Sequence, residues 1–134
     1  MFQIKTRVDY GLIIMLELAQ NQQAPLSLTG LAKRMKVSSA YLIQISQSLT
    51  KAGLIVSKEG TKGGYTLAKP ASKISLLTIF EALEGDLQRR CITLDGKCPN
   101  AKNCKARGPW DIVLSDIKAT LNKRSLSSLA GKKL

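Results

Sequence analysis

Histidine is absent from the 134 residues, and cysteine is confined to three positions. Without an imidazole the chain lacks the usual acid-base group near neutral pH and the histidine ligands of many zinc sites. The glycines form no nucleotide-binding motif, so a redox enzyme or cluster carrier is a remote alternative. An odd number of cysteines cannot be wholly paired within one chain. That argues against a secreted disulfide framework and for reduced thiols or metal thiolates. No apolar run approaches the roughly 18 residues of a membrane span. The start Met1-Phe2-Gln3-Ile4-Lys5 lacks a signal-peptide core, so the expectation is a cytoplasmic protein away from the membrane. Acidic residues are scarce as well, with Asp+Glu 9 against Lys+Arg 21 and a formal charge of +12. Such an excess attracts polyanions: nucleic acid first, an anionic membrane surface second, with a merely soluble basic surface as the bland reading.

What is present is 44% hydrophobic, enough for one cored domain plus an arm. Residues 1–73 hold ten basic side chains against three acids, Asp9, Glu17 and Glu59. Within this region Leu28 to Met35 and Tyr41 to Ala52 are apolar helical runs separated by Lys36-Val37-Ser38-Ser39, a helix-turn-helix spacing with Ser38 placed to cap the second helix. On the first, Leu28, Leu31, Ala32 and Met35 form an inward stripe, and Lys33, Arg34 and Lys36 point outward toward phosphates. On the second, Leu42, Ile45, Leu49 and Ala52 share the inner face. Ser39, Ile43, Gln44, Gln47 and Lys51 lie on or beside the other. A glutamine amide both donates to and accepts from adenine in the major groove, whereas lysine suits phosphate or guanine. An amphipathic surface helix would show the same pattern. The next stretch tilts the balance: Leu54-Ile55-Val56 and Tyr65-Thr66-Leu67 flank Lys58 to Gly64, a basic, glycine-rich hairpin tip. The expected fold is therefore mainly α, a winged helix-turn-helix with a small β-hairpin wing and a long C-terminal helix.

Ahead of the pair, Thr6 to Asn21 is helical, with Val8, Leu12, Met15, Leu16 and Ala19 in register and Ile13, Ile14 and Leu18 widening the apolar surface. Such a helix packs on two sides, one of them against a partner subunit. Beyond the wing, Ser75 caps a short helix ending at Gly85, with Leu76, Ile79, Phe80 and Leu83 in the core. A helix from Trp110 to Asn122 then carries Trp110, Val113, Leu114, Ile117 and Leu121, with Asp111 near its positive end, an arrangement suited to dimerisation. The tail containing Ser125, Ser127, Ser128, Gly131, Lys132 and Lys133 is expected to be partly disordered. The divisions are residues 1–85 for DNA binding, 86–109 for a cysteine loop, and 110–134 for the dimerisation helix and tail.

Cys91, Cys98 and Cys104 fall together in residues 86–109, where charged, Gly, Pro and Asn residues give little other reason to order. Neighbours such as Arg90, Lys97, Pro99, Asn103 and Lys105 make a poor core for buried thiols and favour thiolates. Ligation explains the grouping best, through an iron-sulfur cluster that accepts a different residue at one position. Zinc with a carboxylate comes second, and a redox thiol switch is the other reading. Asp9, Asp95 and Asp111 are chemically possible fourth ligands.

With Asp9-Tyr10-Gly11-Leu12, Ser38-Ser39-Ala40-Tyr41-Leu42, Ala52-Gly53-Leu54, Gly63-Gly64-Tyr65, the three cysteines and the arm at Trp110, the chain resembles the Rrf-two family of bacterial regulators over nearly its whole length. The resemblance implies a homodimeric winged-helix transcription factor, usually a repressor and not an enzyme. It also implies a cluster, expected as 2Fe-2S in preference to 4Fe-4S, between the loop of one subunit and the first helix of the other. The expected DNA contacts are Ser38, Ser39, Ala40, Tyr41, Gln44, Gln47, Lys51, Lys58, Lys62 and Gly63, and the partner is double-stranded DNA with no small-molecule substrate. The iron-sulfur assembly branch has a histidine where this chain has Arg107, which does not ligate iron. The nitric-oxide-sensing branch has Asp-Tyr-Gly-Leu with the aspartate as the outside ligand, so the resemblance implies Cys91, Cys98, Cys104 and Asp9. Glu59 replaces the family's usual wing arginine and would be repelled in the minor groove, leaving Lys58 and Lys62 as backbone contacts. The expected signal is nitric oxide, redox state or cluster supply. The alternative is a cluster-free regulator switched by cysteine oxidation or a protein partner.

Overall fold

The computed structural model describes residues 3–87 and 98–131. Helices α1 (Thr6–Gln20), α2 (Leu28–Met35) and α3 (Ser39–Lys51) lead into the antiparallel hairpin β1 (Ile55–Lys58) and β2 (Gly64–Leu67). Helices α4 (Leu76–Glu84), α5 (Arg107–Lys123) and α6 (Leu126–Ala130) follow, with single 3-10 turns at Ala71–Lys73 and Ala101–Asn103. The expected mainly helical winged fold is therefore present.

One core joins these pieces. On α1 the buried stripe is Val8, Gly11, Ile14, Met15 and Leu18, while Leu12, Leu16 and Ala19 are half-buried against it. The stripe follows the 3.6-residue period and keeps Val8 and Met15 of the expected positions, but Gly11, Ile14 and Leu18 take the deepest places instead of Leu12, Leu16 and Ala19, because α3, α4 and α6 all pack on it. Leu28, Leu31 and Ala32 of α2 and Leu42, Ile45 and Leu49 of α3 meet it as expected, whereas Ala52 is exposed because α3 ends at Lys51. Ser46 is fully buried, and its hydroxyl is satisfied by donating to the Ile43 carbonyl at 2.7 Å.

The hairpin pairs Ile55 with Leu67 and Lys58 with Gly64. It is fastened to the body by Leu26 and Tyr65, whose backbones exchange bonds of 2.8 and 3.0 Å. Gly64 has φ +155, and a Cβ there would stand 2.4 Å from the Leu26 carbonyl oxygen, so only glycine lets the wing lie this close.

Up to Gly131 the C-terminal segment departs from the expected partial disorder, and Lys132 and Lys133 lie outside the described residues. Leu126 is fully buried, its amide donates to the Ile74 carbonyl at 2.7 Å, and the Leu76 amide donates to the Arg124 carbonyl at 2.8 Å. Ser125 caps α6 by accepting from the Ser128 amide at 3.2 Å. A leucine seated in the core outweighs the small polar residues around it. Helix α5 also starts before Trp110, at Arg107, with Pro109 in the first turn where a missing amide costs no helical bond.

Candidate DNA-reading face and cysteine loop

Lys36 closes α2 in the left-handed conformation, φ 56 and ψ 43, and the Val37 amide then donates to the Ala32 carbonyl at 3.0 Å. This tight turn sets α3 across α2. Ser38 occupies the N-cap position with extended backbone, but its hydroxyl makes no capping bond, contrary to the role expected for it. The cap position is held through the backbone instead, with the Leu42 amide donating to the Ser38 carbonyl at 3.3 Å.

With Leu42, Ile45, Ser46 and Leu49 turned inward, α3 presents Ala40, Ile43, Gln44, Gln47 and Lys51 on one exposed arc. Ser38 is exposed at its start and Ser39 half-buried. Tyr41 is half-buried and meets Tyr10 of α1 edge-on, ring centroids 5.5 Å apart and planes at 88°, which locks the reading helix to the scaffold. In the wing, Lys58, Glu59 and Lys62 are all exposed. A Cβ on Gly63 would lie 2.4 Å from the Lys58 carbonyl oxygen, so the tip folds tightly enough to hold both lysines at one end of the hairpin.

Two contacts were not legible in the sequence. Arg34, placed outward for phosphates, is paired with Glu17 of α1 at 3.1 Å while its side chain stays 61% exposed, and Lys33 and Lys36 are exposed beside it. The Arg7 guanidinium donates to the Ser48 hydroxyl, joining the start of α1 to α3 across 41 positions, a pairing no local pattern signals.

Cys98 and Cys104 are both half-buried and bracket one short turn. The Ala101 amide donates to the Cys98 carbonyl at 3.0 Å and the Arg107 amide to the Cys104 carbonyl at 3.3 Å, so Cys104 sits at the foot of α5. Cys91 and Asp95 lie outside the described residues. Asp9 is exposed on the first turn of α1 and Asp111 is exposed on α5. No three Asp, Glu, Cys or His side chains converge among the described residues, so one subunit does not itself bring Asp9 to Cys98 and Cys104. Beside the loop, Lys118 of α5 donates to Asp86 at 2.7 Å, and that hydrogen bond raises the Lys118 pKa above the ordinary lysine value. The ion pair ties the loop's start to the arm. Arm α5 has no buried residue, and Trp110, Ile112 and Val113 are 53, 66 and 43% exposed.

The sequence matches the Rrf2 family of iron-dependent transcriptional regulators over residues 4–132. The chain belongs to the Rrf2 family. It is 31% identical over 128 residues to the regulator IscR of Vibrio campbellii, covering 95% of this chain and 76% of that one. Among solved structures it is similar to CymR, the global cysteine regulator of B. subtilis, with a TM-score of 0.80 and 32% identity over the whole of both chains. It is similar also to T. potens IscR, with a TM-score of 0.75 and 30% identity over 96% of this chain and 85% of that one. This Rrf2 protein is therefore a DNA-binding transcriptional regulator of winged-helix fold. No described helix is long and apolar enough to cross a membrane.

Proposed function

We propose that the protein is a homodimeric repressor whose operator affinity is set by an iron-sulfur cluster. The ligands are Cys91, Cys98 and Cys104 of one subunit and Asp9 of the partner subunit. The observation that carries this reading is the placement of Cys98 and Cys104 around a single turn at the foot of an arm that leaves Trp110, Ile112 and Val113 exposed. The donor set suits the group: thiolates are the natural ligands of iron-sulfur clusters, and a carboxylate can take the remaining position. Exposed Asp9 and the uncovered α5 favour supply of the fourth ligand across a dimer interface. When bound, a 2Fe-2S cluster supplies a centre that reacts with nitric oxide and oxidants or reports cluster supply.

The chain's own residues carry the signal. Cys98 and Cys104 would hold the group at the foot of α5, the Asp86–Lys118 pair would couple that end of the loop to α5, and in the proposed dimer α5 would set the distance between the two α3 helices. Two-fold readers need half-sites about 34–36 Å apart, so a small shift of the arms changes how well both helices seat. Ala40, Gln44, Gln47 and Lys51 on the exposed arc face the major groove, with Ser38, Ser39 and Tyr41 at the start of α3 beside it, while Lys58, Lys62 and Gly63 approach the backbone.

Protein purified without oxygen tests this reading by its visible spectrum and its iron and sulfide content. The expected result is a brown protein with stoichiometric iron and sulfide that Asp9→Ala fails to retain. Loaded wild type and Cys98→Ala should also differ in operator affinity, and identical binding curves would refute gating. The likeness to CymR favours a second reading, a cluster-free regulator responding through cysteine oxidation or a protein partner. Colourless, iron-free protein that still binds DNA would select it.

A further inference from the structure

Ile43 is 40% exposed on α3, although a β-branched aliphatic side chain gains from burial and the inner face of this helix is fully occupied by Leu42, Ile45 and Leu49. Counting 100° per residue, it lies on the same arc as Ala40, Gln44 and Gln47, one turn from Ala40 on one side and Gln47 on the other. Its position is firm, because its carbonyl accepts the Ser46 hydroxyl and Leu42 beside it is fully buried. The arc thus combines two amides able to read adenine with an apolar strip formed by the Ala40 methyl and the Ile43 side chain. The apolar feature of the major groove is the C5-methyl group of thymine, the partner base of adenine.

We propose that Ile43, with Ala40 beside it, is a specificity-determining residue that packs on a thymine methyl in each operator half-site. The inference rests on the reading that α3 lies in the major groove. Readout is then divided: Gln44 and Gln47 recognise hydrogen-bonding edges, and Ile43 recognises a methyl that cytosine lacks. The contact removes apolar surface from water on both partners and makes no hydrogen bond, so it adds selectivity with little dependence on salt.

The full-length protein tests this with duplexes chosen from a random pool by their binding to it. Each thymine is then replaced in turn by deoxyuridine, which deletes only the methyl. At one thymine per half-site the wild type should bind about three- to fivefold more weakly, the scale of one buried methyl group. In Ile43→Ala that loss should shrink below about 1.5-fold, whereas Ile43→Val should keep most of it. The exposed position leaves the fold intact in both variants. If no deoxyuridine replacement weakens the wild type, or if the loss persists undiminished in Ile43→Ala, the proposal fails. Should Gln44→Ala still relax the selected sequence in that case, the reader helix itself stands. If neither Gln44→Ala nor Ile43→Ala alters the selected sequence, it is the placement of α3 in the groove that fails, and this inference with it.

Discussion

Truncating Leu126 to alanine isolates the contribution of α6. The side chain is fully buried, and its helix packs on α1 and on the 3-10 turn at Ala71–Lys73. Its neighbours belong to the same core that holds α3, so the site cannot collapse without moving the scaffold. A buried leucine truncated in such surroundings typically costs about 2–5 kcal/mol, the lost transfer free energy plus a cavity term. The backbone bonds to Ile74 and Arg124 survive the substitution, which places the expectation near the middle, at about 3 kcal/mol. For a chain of this length that lowers Tm by about 10 °C. Urea unfolding of wild type and Leu126→Ala at one fixed protomer concentration measures it, since the proposed dimer would make apparent stability depend on concentration. Half-buried Leu129 serves as the internal comparison, and Leu129→Ala should cost less. A loss below about 1 kcal/mol for Leu126→Ala would refute the argument, because it would mean α6 is not part of the folded core in solution.

Gly64→Ala should destabilise by about 2 kcal/mol or more, because a Cβ would collide with the Leu26 carbonyl oxygen at a positive φ; differential scanning calorimetry reads this, and an unchanged Tm would contradict the wing placement. Lys36→Gly should stabilise, since a non-glycine residue pays about 1 kcal/mol to sit in the left-handed region; no gain in urea midpoint would show the turn is not strained. Gln44→Ala should relax preference at one base position at a cost of about 1–3 kcal/mol, whereas Lys62→Ala should weaken all sequences alike and lower the salt slope by about 1; fluorescence anisotropy over a salt series separates the two. A salt-independent affinity in the wild type would contradict phosphate contact altogether.

Local pattern determined much of this protein. The two apolar runs around Lys36 to Ser39 specify α2, α3 and the turn between them, because helical periodicity and turn chemistry act within a few residues. The glycines of residues 60–64 specify the hairpin tip for the same reason, and the outward arc of α3 follows once Leu42, Ile45 and Leu49 are assigned inward. The basic excess pointed to a polyanionic partner because charge is additive and needs no fold. What required the tertiary structure were facts about residues far apart in the chain. Which stripe of α1 is buried depended on three helices arriving from later segments, since nearly every face of α1 is apolar. That Arg34 shares its charge with Glu17 was visible only once α1 lay across from it. The Arg7 to Ser48 bond spans 41 positions and has no sequence signature. The C-terminal serines resembled a loose tail, yet Leu126 docks in a cavity built by α1 and the segment before α4. Composition reports what a segment would do alone, and burial is decided by the surface it meets.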